Sequence, residues 1–522
     1  MDPLTSPTDF SIDRAFAAIP DLIAHWARQQ PDRPALQQDE QRLSFAELDE
    51  RMDSVAAALQ RDGIGPGAVL AVCAFNSVDY ATLFLGALRA GVAVAPLAPS
   101  ASAESLLTML TDASPRLLFI DGHAAQQLET VAARLPCPTL RLDSHASGGF
   151  AGWLSGDRPS PVTIQPEWAF NIIYSSGTTG EPKGIVQSHA MRWAHVRRSA
   201  GYGYADQART LISTPLYSNT TLVAFLPTLA LGGTVVLMSK FDASEYLRLA
   251  QRHRITHTML VPVQYQRIMA HDDFDRFDLS HFRYKMCTSA PFGASLKADV
   301  LARWPGGLID TYGMTEGGGT CILAAHEHPD KLHTVGKPVE GHDIRVIDDE
   351  GNELPEGSIG EIVGHSPAMM SGYLNKPQKI AEAEWFDRSG KRFIRTGDVG
   401  RFDEQGFLTL LDRKKDMIIS GGFNLYPSDL EAILRQHPAI AEAAVVGVPS
   451  TRWGETPVAF VVPAPGTTNS PETLLEWFNR QVGKTQRLAS LEVTDELPRS
   501  AIGKVLKREL RDQYMAEHGT VA

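Results

Sequence analysis

The chain has 522 residues, 43% of them hydrophobic and 21% charged, with a formal net charge of −12. That length holds more than one domain and a large core, and acidic charge spread along the chain argues against nucleic acid or an anionic membrane surface as the main partner. Four separated cysteines without a C-x-x-C pair (Cys73, Cys137, Cys287, Cys321), a polar segment Met1–Asp13 without a signal-peptide pattern, and no apolar run near the roughly 18 residues of a membrane span lead to the expectation of a cytoplasmic protein with reduced cysteines.

In chain order, Val69–Ala74 reads as a strand, Tyr80–Ala90 as a helix, Val92–Pro96 as a strand, and Leu117–Asp121 as a further strand after another helical stretch. The same alternation recurs around Thr210–Ser213, Thr234–Met238 and His257–Val261. Short apolar runs alternating with amphipathic ones predict layered α/β structure with parallel sheets. After Gly336 the runs shorten and glycines punctuate them, as at Asp343–Ile347 and Gly360–Val363, which predicts a β-rich subdomain. The charged run Asp412–Asp416 interrupts an apolar context and marks a boundary. Residues 1–412 are expected to form the large domain and 413–522 a small α+β module.

The most telling stretch follows the strand-like run Trp168–Tyr174. Ser175, Ser176, Gly177, Thr178, Thr179 and Gly180 lead through Glu181 and Pro182 to Lys183. Backbone N–H groups, hydroxyls and one cation gathered on a glycine loop suit a polyphosphate. Five further islands follow. Thr311–Glu316 sets a hydroxyl and a carboxylate after a glycine turn, and Arg395–Asp398 sets a carboxylate at a tight turn. Asp412–Asp416 is the boundary itself. Ser420–Pro427 is a glycine loop leading into a helix, and Pro498–Lys504 places one lysine on a turn near the C-terminus.

In this order the islands resemble the acyl-adenylating superfamily, which holds acyl-CoA synthetases, peptide-synthetase adenylation domains and firefly-type luciferases. The resemblance spans nearly the whole chain and points to the 4-coumarate-CoA ligase-like branch. It implies a carboxylic acid:CoA ligase using ATP, Mg²⁺ and CoA. A carboxylate attacks the α-phosphate of ATP to give an acyl adenylate and pyrophosphate, and a thiol then takes the acyl group and releases AMP. By matched position, Ser175 to Lys183 would hold the β- and γ-phosphates, Thr315 the α-phosphate and Glu316 the magnesium, a hard cation suited to carboxylate oxygen. Ser289, Ala290 and Pro291 would flank the adenine with Asp310, Thr311, Tyr312 and Gly313. Asp398 would accept from the ribose hydroxyls, Arg413 would reach ribose or phosphate, and Lys504 would bridge the acid and the α-phosphate in the transition state.

The resemblance also implies that the small C-terminal domain rotates between the two half-reactions about Lys415. The loop of Ser420, Gly421 and Gly422 would then line a channel for pantetheine, with Trp453 and Arg487 against the CoA nucleotide. No carrier domain is expected after Leu510, so the acceptor is expected to be free CoA, the alternative being a separate carrier protein. Monomer and homodimer both stay open. The acid pocket is expected among Tyr217, Ser218, Asn219, Val261, Ser289, Gly313, Gly318 and Thr320. Ser218 stands where many relatives carry a gating histidine or other aromatic group. The glycines of Gly317–Gly319 are expected to leave room for an aromatic or medium-chain monocarboxylic acid.

Three signals imitate other sites. Gly483-Lys484-Thr485 lacks the first glycine of a P-loop, because Phe478 stands there. Phe241–Ser244 reads as a helix cap rather than an amine-binding motif. His326, His328 and His333 fit no familiar zinc spacing.

Overall fold

The computed structural model describes residues 11–144, 148–175, 182–420, 423–467, 469–500 and 503–521. The chain packs as two compact units, one of Met1–Asp343 with Gly364–Ile394, the other of Ile344–Val363 with Arg395–Ala522. Strand Arg392–Phe402 therefore runs through the division. Among the described residues no helix is long and apolar enough to cross a membrane.

The first unit contains two large sheets. In one, the described strands run in the order Lys337–Pro338, Thr320–Ala324, Gly307–Gly313, Tyr284–Cys287, His257–Leu260, Arg209–Ile212, Thr234–Leu237, Pro34–Gln38 and Gln41–Ser44. The central pairings are parallel, as the alternating pattern predicts. In the other, Gly372–Tyr373, Lys183–Ser188, Ala169–Ser175, Ala93–Leu97, Val69–Cys73, Leu117–Ile120 and Thr139–Arg141 follow one another. One continuous apolar core draws on both sheets, with Leu36 and Val235 from the first and Leu70 and Val94 from the second. It also takes in helices Phe45–Arg61, Val78–Arg89 and Asn219–Ala230. Helices buried on two sides must be apolar around most of their circumference, and Val78–Arg89 has ten of its residues buried.

Local sequence explains the starts of these helices. Ser44 caps Phe45–Arg61 in a capping box with Glu47, and Ser77 accepts from Tyr80 N. Asp242 accepts from Glu245 N at 2.8 Å at the head of Ala243–Arg252, so Phe241–Ser244 is the cap that its sequence suggests.

The second unit joins the β-rich segment to the C-terminal residues. Leu408–Arg413 pairs antiparallel with Arg392–Phe402. Beyond it, Phe423–Leu425, Ile418–Ser420, Gly454–Pro463 and Ile440–Ser450 form a sheet, and Ser490–Val493 adds in parallel to Gly454–Pro463. Its core is Ile418, Leu430, Leu434, Val445, Ala459, Val461 and Phe478.

Candidate active site

In the first unit the site grows from strand ends. Ser175 and Lys183 are opposite one another where the antiparallel pair Ala169–Ser175 and Lys183–Ser188 opens into its loop. Ser176, Gly177, Thr178, Thr179 and Gly180, expected to hold phosphate, lie outside the described residues. Lys183 Nζ sits 5.1 Å from the centre of the Tyr373 ring. Tyr373 reaches this point because Gly372–Tyr373 pairs with Ile185 and Val186. Its hydroxyl donates to Glu316 Oε1 at 2.9 Å. Burial, reinforced by Glu316, raises the phenol far above its ordinary range, so it stays a donor.

Glu316 and Thr315 occupy the turn after strand Gly307–Gly313, closed by Gly317 N to Met314 O at 3.0 Å. Met370 N donates to Glu316 O at 2.8 Å, which pins the backbone of the turn. A half-buried carboxylate with one oxygen oriented by a phenol is an appropriate donor for Mg²⁺. Asp310 lies inside strand Gly307–Gly313. It is buried and paired with Lys297 at 2.6 Å, and Lys297 also donates to Leu332 O and Thr334 O. Burial pushes the Asp310 carboxyl up against the pull of Lys297, and its side chain anchors the strand beneath Thr311 and Tyr312.

The candidate acid pocket gathers beyond the carboxyl ends of the parallel strands, where open α/β sheets bind ligands. Val261 follows His257–Leu260, Ser289 follows Tyr284–Cys287, and Tyr217, Ser218 and Asn219 follow Arg209–Ile212. Ser289 has φ of +81°, a left-handed conformation costly for a non-glycine residue, and its hydroxyl is hydrogen-bonded to that of Thr220. Sequence reasoning passed over Thr220. Ser218 is buried and caps helix Asn219–Ala230, accepting from Thr220 N at 3.3 Å. Serine at this position thus ends a turn and starts a helix, which a histidine does less well. Gly313 lies opposite Thr320 in the strand pairing, and Arg198 Nη1 reaches Thr320 Oγ1 at 3.4 Å.

The glycine run departs from expectation. A Cβ on Gly318 would lie 2.7 Å from Ile394 Cβ and 3.0 Å from Met314 Sδ, and one on Gly317 would lie 1.8 Å from Ala368 O. On those sides the space is filled by protein, so close packing against Gly364–Ala368 explains these glycines. Ser366 Oγ, donating to Gly317 O at 2.7 Å, belongs to the same contact. A side chain at position 318 therefore meets Ile394 rather than shortening an open cavity.

In the second unit Asp398 and Arg413 are cross-strand partners, with Arg413 Nε 2.8 Å from Asp398 Oδ1. Arg395–Asp398, expected as a tight turn, lies inside strand Arg392–Phe402. Gly397 takes φ of +69° there, and the ladder shifts register between Val399 and Gly400, where Leu411 of the partner strand has no counterpart. Lys504 is half-buried near this pair. Burial, then Arg413 and Lys415, push its ammonium down to about 8 against the opposing effect of Asp398.

Lys415 is exposed in the turn after Arg413, where Asp416 N donates to Arg413 O at 2.9 Å. Its neighbour Lys414 is held by Glu361 at 3.0 Å and Asp349 at 2.8 Å, and Arg395 grips Glu361 through both oxygens. Burial would raise the Glu361 carboxyl, but Arg395 and Lys414 hold it below its ordinary range.

Of the candidate CoA contacts, Ser420 is buried and pairs with Gly454, which brings Trp453 to the same end of the C-terminal sheet. Arg452 lies 4.8 Å over the Trp453 ring. Arg487 is exposed on the segment whose Ala489 N donates to Pro457 O, close to that end. Gly421 and Gly422 lie outside the described residues.

Residues 23–374 match the family described as AMP-binding enzyme, and residues 429–504 match the AMP-binding enzyme C-terminal domain. The chain is 34% identical to a feruloyl-CoA synthase of Amycolatopsis sp over 495 residues, 94% of this chain and 97% of that one. It is 32% identical to the fatty acid–[acyl-carrier-protein] ligase ScoC of Streptomyces coeruleorubidus, over 94% of this chain and 95% of the relative. ATP-bound MatB from Rhodopseudomonas palustris superposes with a TM-score of 0.85 at 29% identity, covering 95% of this chain and 99% of MatB. The o-succinylbenzoate CoA synthetase MenE of Bacillus subtilis, in complex with ATP and magnesium, gives 0.81 at 27% identity, covering 94% and 99%.

Proposed function

The chain belongs to the AMP-binding enzyme family, within its AMP-forming acid–CoA ligases, and on that premise we propose that it activates an aromatic or medium-chain monocarboxylic acid with ATP and transfers the acyl group to CoA. One carboxylate oxygen of the acid attacks the α-phosphorus, and the bond to the bridging oxygen breaks to release pyrophosphate. The CoA thiol, losing its proton, then attacks the acyl carbon and displaces AMP. Neither step needs a protein nucleophile, so the protein's contribution is positioning and neutralisation of charge.

Ser175 to Lys183 hold the β- and γ-phosphates in this reading, Thr315 the α-phosphate, Asp398 the ribose and Arg413 the ribose or phosphate. Glu316 holds Mg²⁺, which would offset phosphate charge. Lys504 supplies the positive charge for the attacking carboxylate. The observation that carries the reading is the half-buried Lys504 near the Asp398–Arg413 pair, since a lysine with no task is normally solvated. Residues 413–522 then rotate about Lys415 to present Ser420, Trp453 and Arg487 to CoA.

The name of the feruloyl-CoA synthase, and that of a 32%-identical indoleacetate–CoA ligase of Aromatoleum aromaticum, support an aryl acid. The ScoC likeness favours a second reading, transfer to a separate carrier protein. The test is pyrophosphate release across a panel of aryl and alkyl acids. CoA and a phosphopantetheinylated carrier are then compared as acceptors. Formation of ADP and phosphate, instead of AMP and pyrophosphate, would sink the reading.

A further inference from the structure

Behind the candidate phosphate-binding strand pair lies a polar knot that the assigned roles do not use. Asn171 and Gln187 face each other across strands Ala169–Ser175 and Lys183–Ser188, and Arg192 projects from helix His189–Ala200. All three are fully buried. Arg192 donates to Asn171 Oδ1 from Nε at 3.1 Å and from Nη2 at 2.9 Å, and its Nη2 also bonds Gln187 Oε1. Asn171 Nδ2 donates to the same Gln187 oxygen at 3.0 Å.

These contacts fix which way the Gln187 amide faces. With its oxygen taken by two donors, only its NH₂ group is free to point outward, because the reverse orientation would set donors against a guanidinium. That NH₂ donates to Thr315 O at 2.7 Å and to Asn219 Oδ1 at 3.3 Å. One side chain thus touches both the turn assigned to the α-phosphate and the wall assigned to the acid.

A purely packing role is a poor account of the knot. The neighbouring strand positions Phe170, Ile172 and Ile185 are buried and apolar. Burying a guanidinium whose hydrogen-bond acceptors are neutral amides costs stability that an apolar residue would not. Arg192 Nη1 has no hydrogen-bond partner among the described residues, which adds to that cost.

We propose that Gln187, oriented by Arg192 and Asn171, is a positioning residue for adenylation that holds Thr315 and Asn219 in fixed relation, so that the acid and the α-phosphate meet in line. This rests on the roles given to Thr315 and Asn219 in the proposed function.

The test uses the full chain with Gln187→Glu and, separately, Gln187→Leu. Glutamate keeps the bond to Arg192 but turns an acceptor toward Thr315 O. Leucine keeps the volume and removes both the donor to Thr315 O and the acceptor of Arg192 and Asn171. Three quantities are measured on each: ATP–pyrophosphate exchange, thioester formation from supplied acyl adenylate and CoA, and thermal unfolding. We expect the exchange kcat to fall by roughly tenfold to a hundredfold, the scale of a small misplacement of reacting groups. The KM for ATP should change far less and the thioester rate should hold, while the unfolding temperature should hold in Gln187→Glu and fall in Gln187→Leu, which leaves donors of Arg192 and Asn171 unpaired. Arg192→Met should cost a similar factor, and the double variant little more, since both changes release the same amide.

Wild-type exchange in both Gln187 variants overturns the proposal, as does a parallel loss of exchange, thioester formation and thermal stability in both. A wild-type chain that shows no exchange with any acid overturns instead the proposed function on which it rests.

Discussion

Tyr373 donates its phenolic hydrogen to Glu316 Oε1 at 2.9 Å while its ring lies 5.1 Å from Lys183 Nζ. One side chain therefore steadies the candidate metal ligand and the candidate phosphate lysine together. Tyr373→Phe keeps the ring and removes the donor. Hydrogen bonds to charged groups contribute about 1.5–3 kcal/mol, so ATP–pyrophosphate exchange should fall about tenfold or more at limiting Mg²⁺ and recover in part as Mg²⁺ is raised. Equal activity of variant and wild type across the whole Mg²⁺ range would separate Tyr373 from the site.

The depressed Lys504 ammonium gives a pH prediction. A lysine at its ordinary value keeps its charge well past pH 9, but Lys504, lowered to about 8 by burial and then by Arg413 and Lys415, loses its proton from pH 8 upward in the free enzyme. The adenylation kcat/KM should therefore be level below that pH and decline above it. Lys504→Ala should abolish this limb and slow adenylation by about a hundredfold. Thioester formation from supplied acyl adenylate should be nearly unaffected. A falling limb that persists in the alanine variant would assign the titration to another group.

Two glycines should respond in opposite ways. At Gly318 a Cβ would meet Ile394 Cβ at 2.7 Å, so Gly318→Leu should lower the unfolding temperature and reduce activity with every acid alike. Overpacking of this kind costs about 1–3 kcal/mol or more. At Gly313 the nearest neighbour of a Cβ would be Gly319 O at 3.5 Å, an ordinary contact. Gly313→Ala should fold normally and discriminate against bulky acids in the panel. If Gly313→Ala instead loses stability, or spares bulky acids, the wall has been drawn in the wrong place.

Lys415→Pro tests the pivot. Proline fixes φ near −65° at a residue proposed to change its backbone angles between half-reactions. Exchange should survive while thioester formation collapses. Full rates in both steps would remove Lys415 from that role.

Much of this was legible in the sequence because it is local. Strand Ala169–Ser175 follows from an apolar run, the cap at Asp242 from one side chain's reach, and the order of the islands from reading along the chain. What was not legible depends on register between distant segments. Tyr373 acquires its position only by pairing with Ile185, and nothing near Ser371–Leu374 announces a metal-site partner. Arg395–Asp398 carries a glycine typical of turns, yet Gly397 serves a kink within a long strand. Asn171 did leave a trace, as an amide among the apolar residues Phe170, Ile172 and Ile173, while Gln187 stands next to Ser188 in a strand that begins with Lys183. Their meaning needed Arg192, which arrives from a helix. Gly317 and Gly318 read as spare volume until Ala368 and Ile394 are seen to occupy it.

The grip on Lys414 has a mechanical consequence. Two carboxylates fasten the residue just before the proposed pivot, and Arg395 stiffens one of them from behind. A door swings true when one leaf of its hinge is screwed to the frame. For the rotation proposed about Lys415, such an anchor would keep the backbone before the pivot from sharing the bending and would confine the motion to a single axle. Loosening the frame at Glu361 would then leave the proposed catalytic groups in place and let the proposed swing wander.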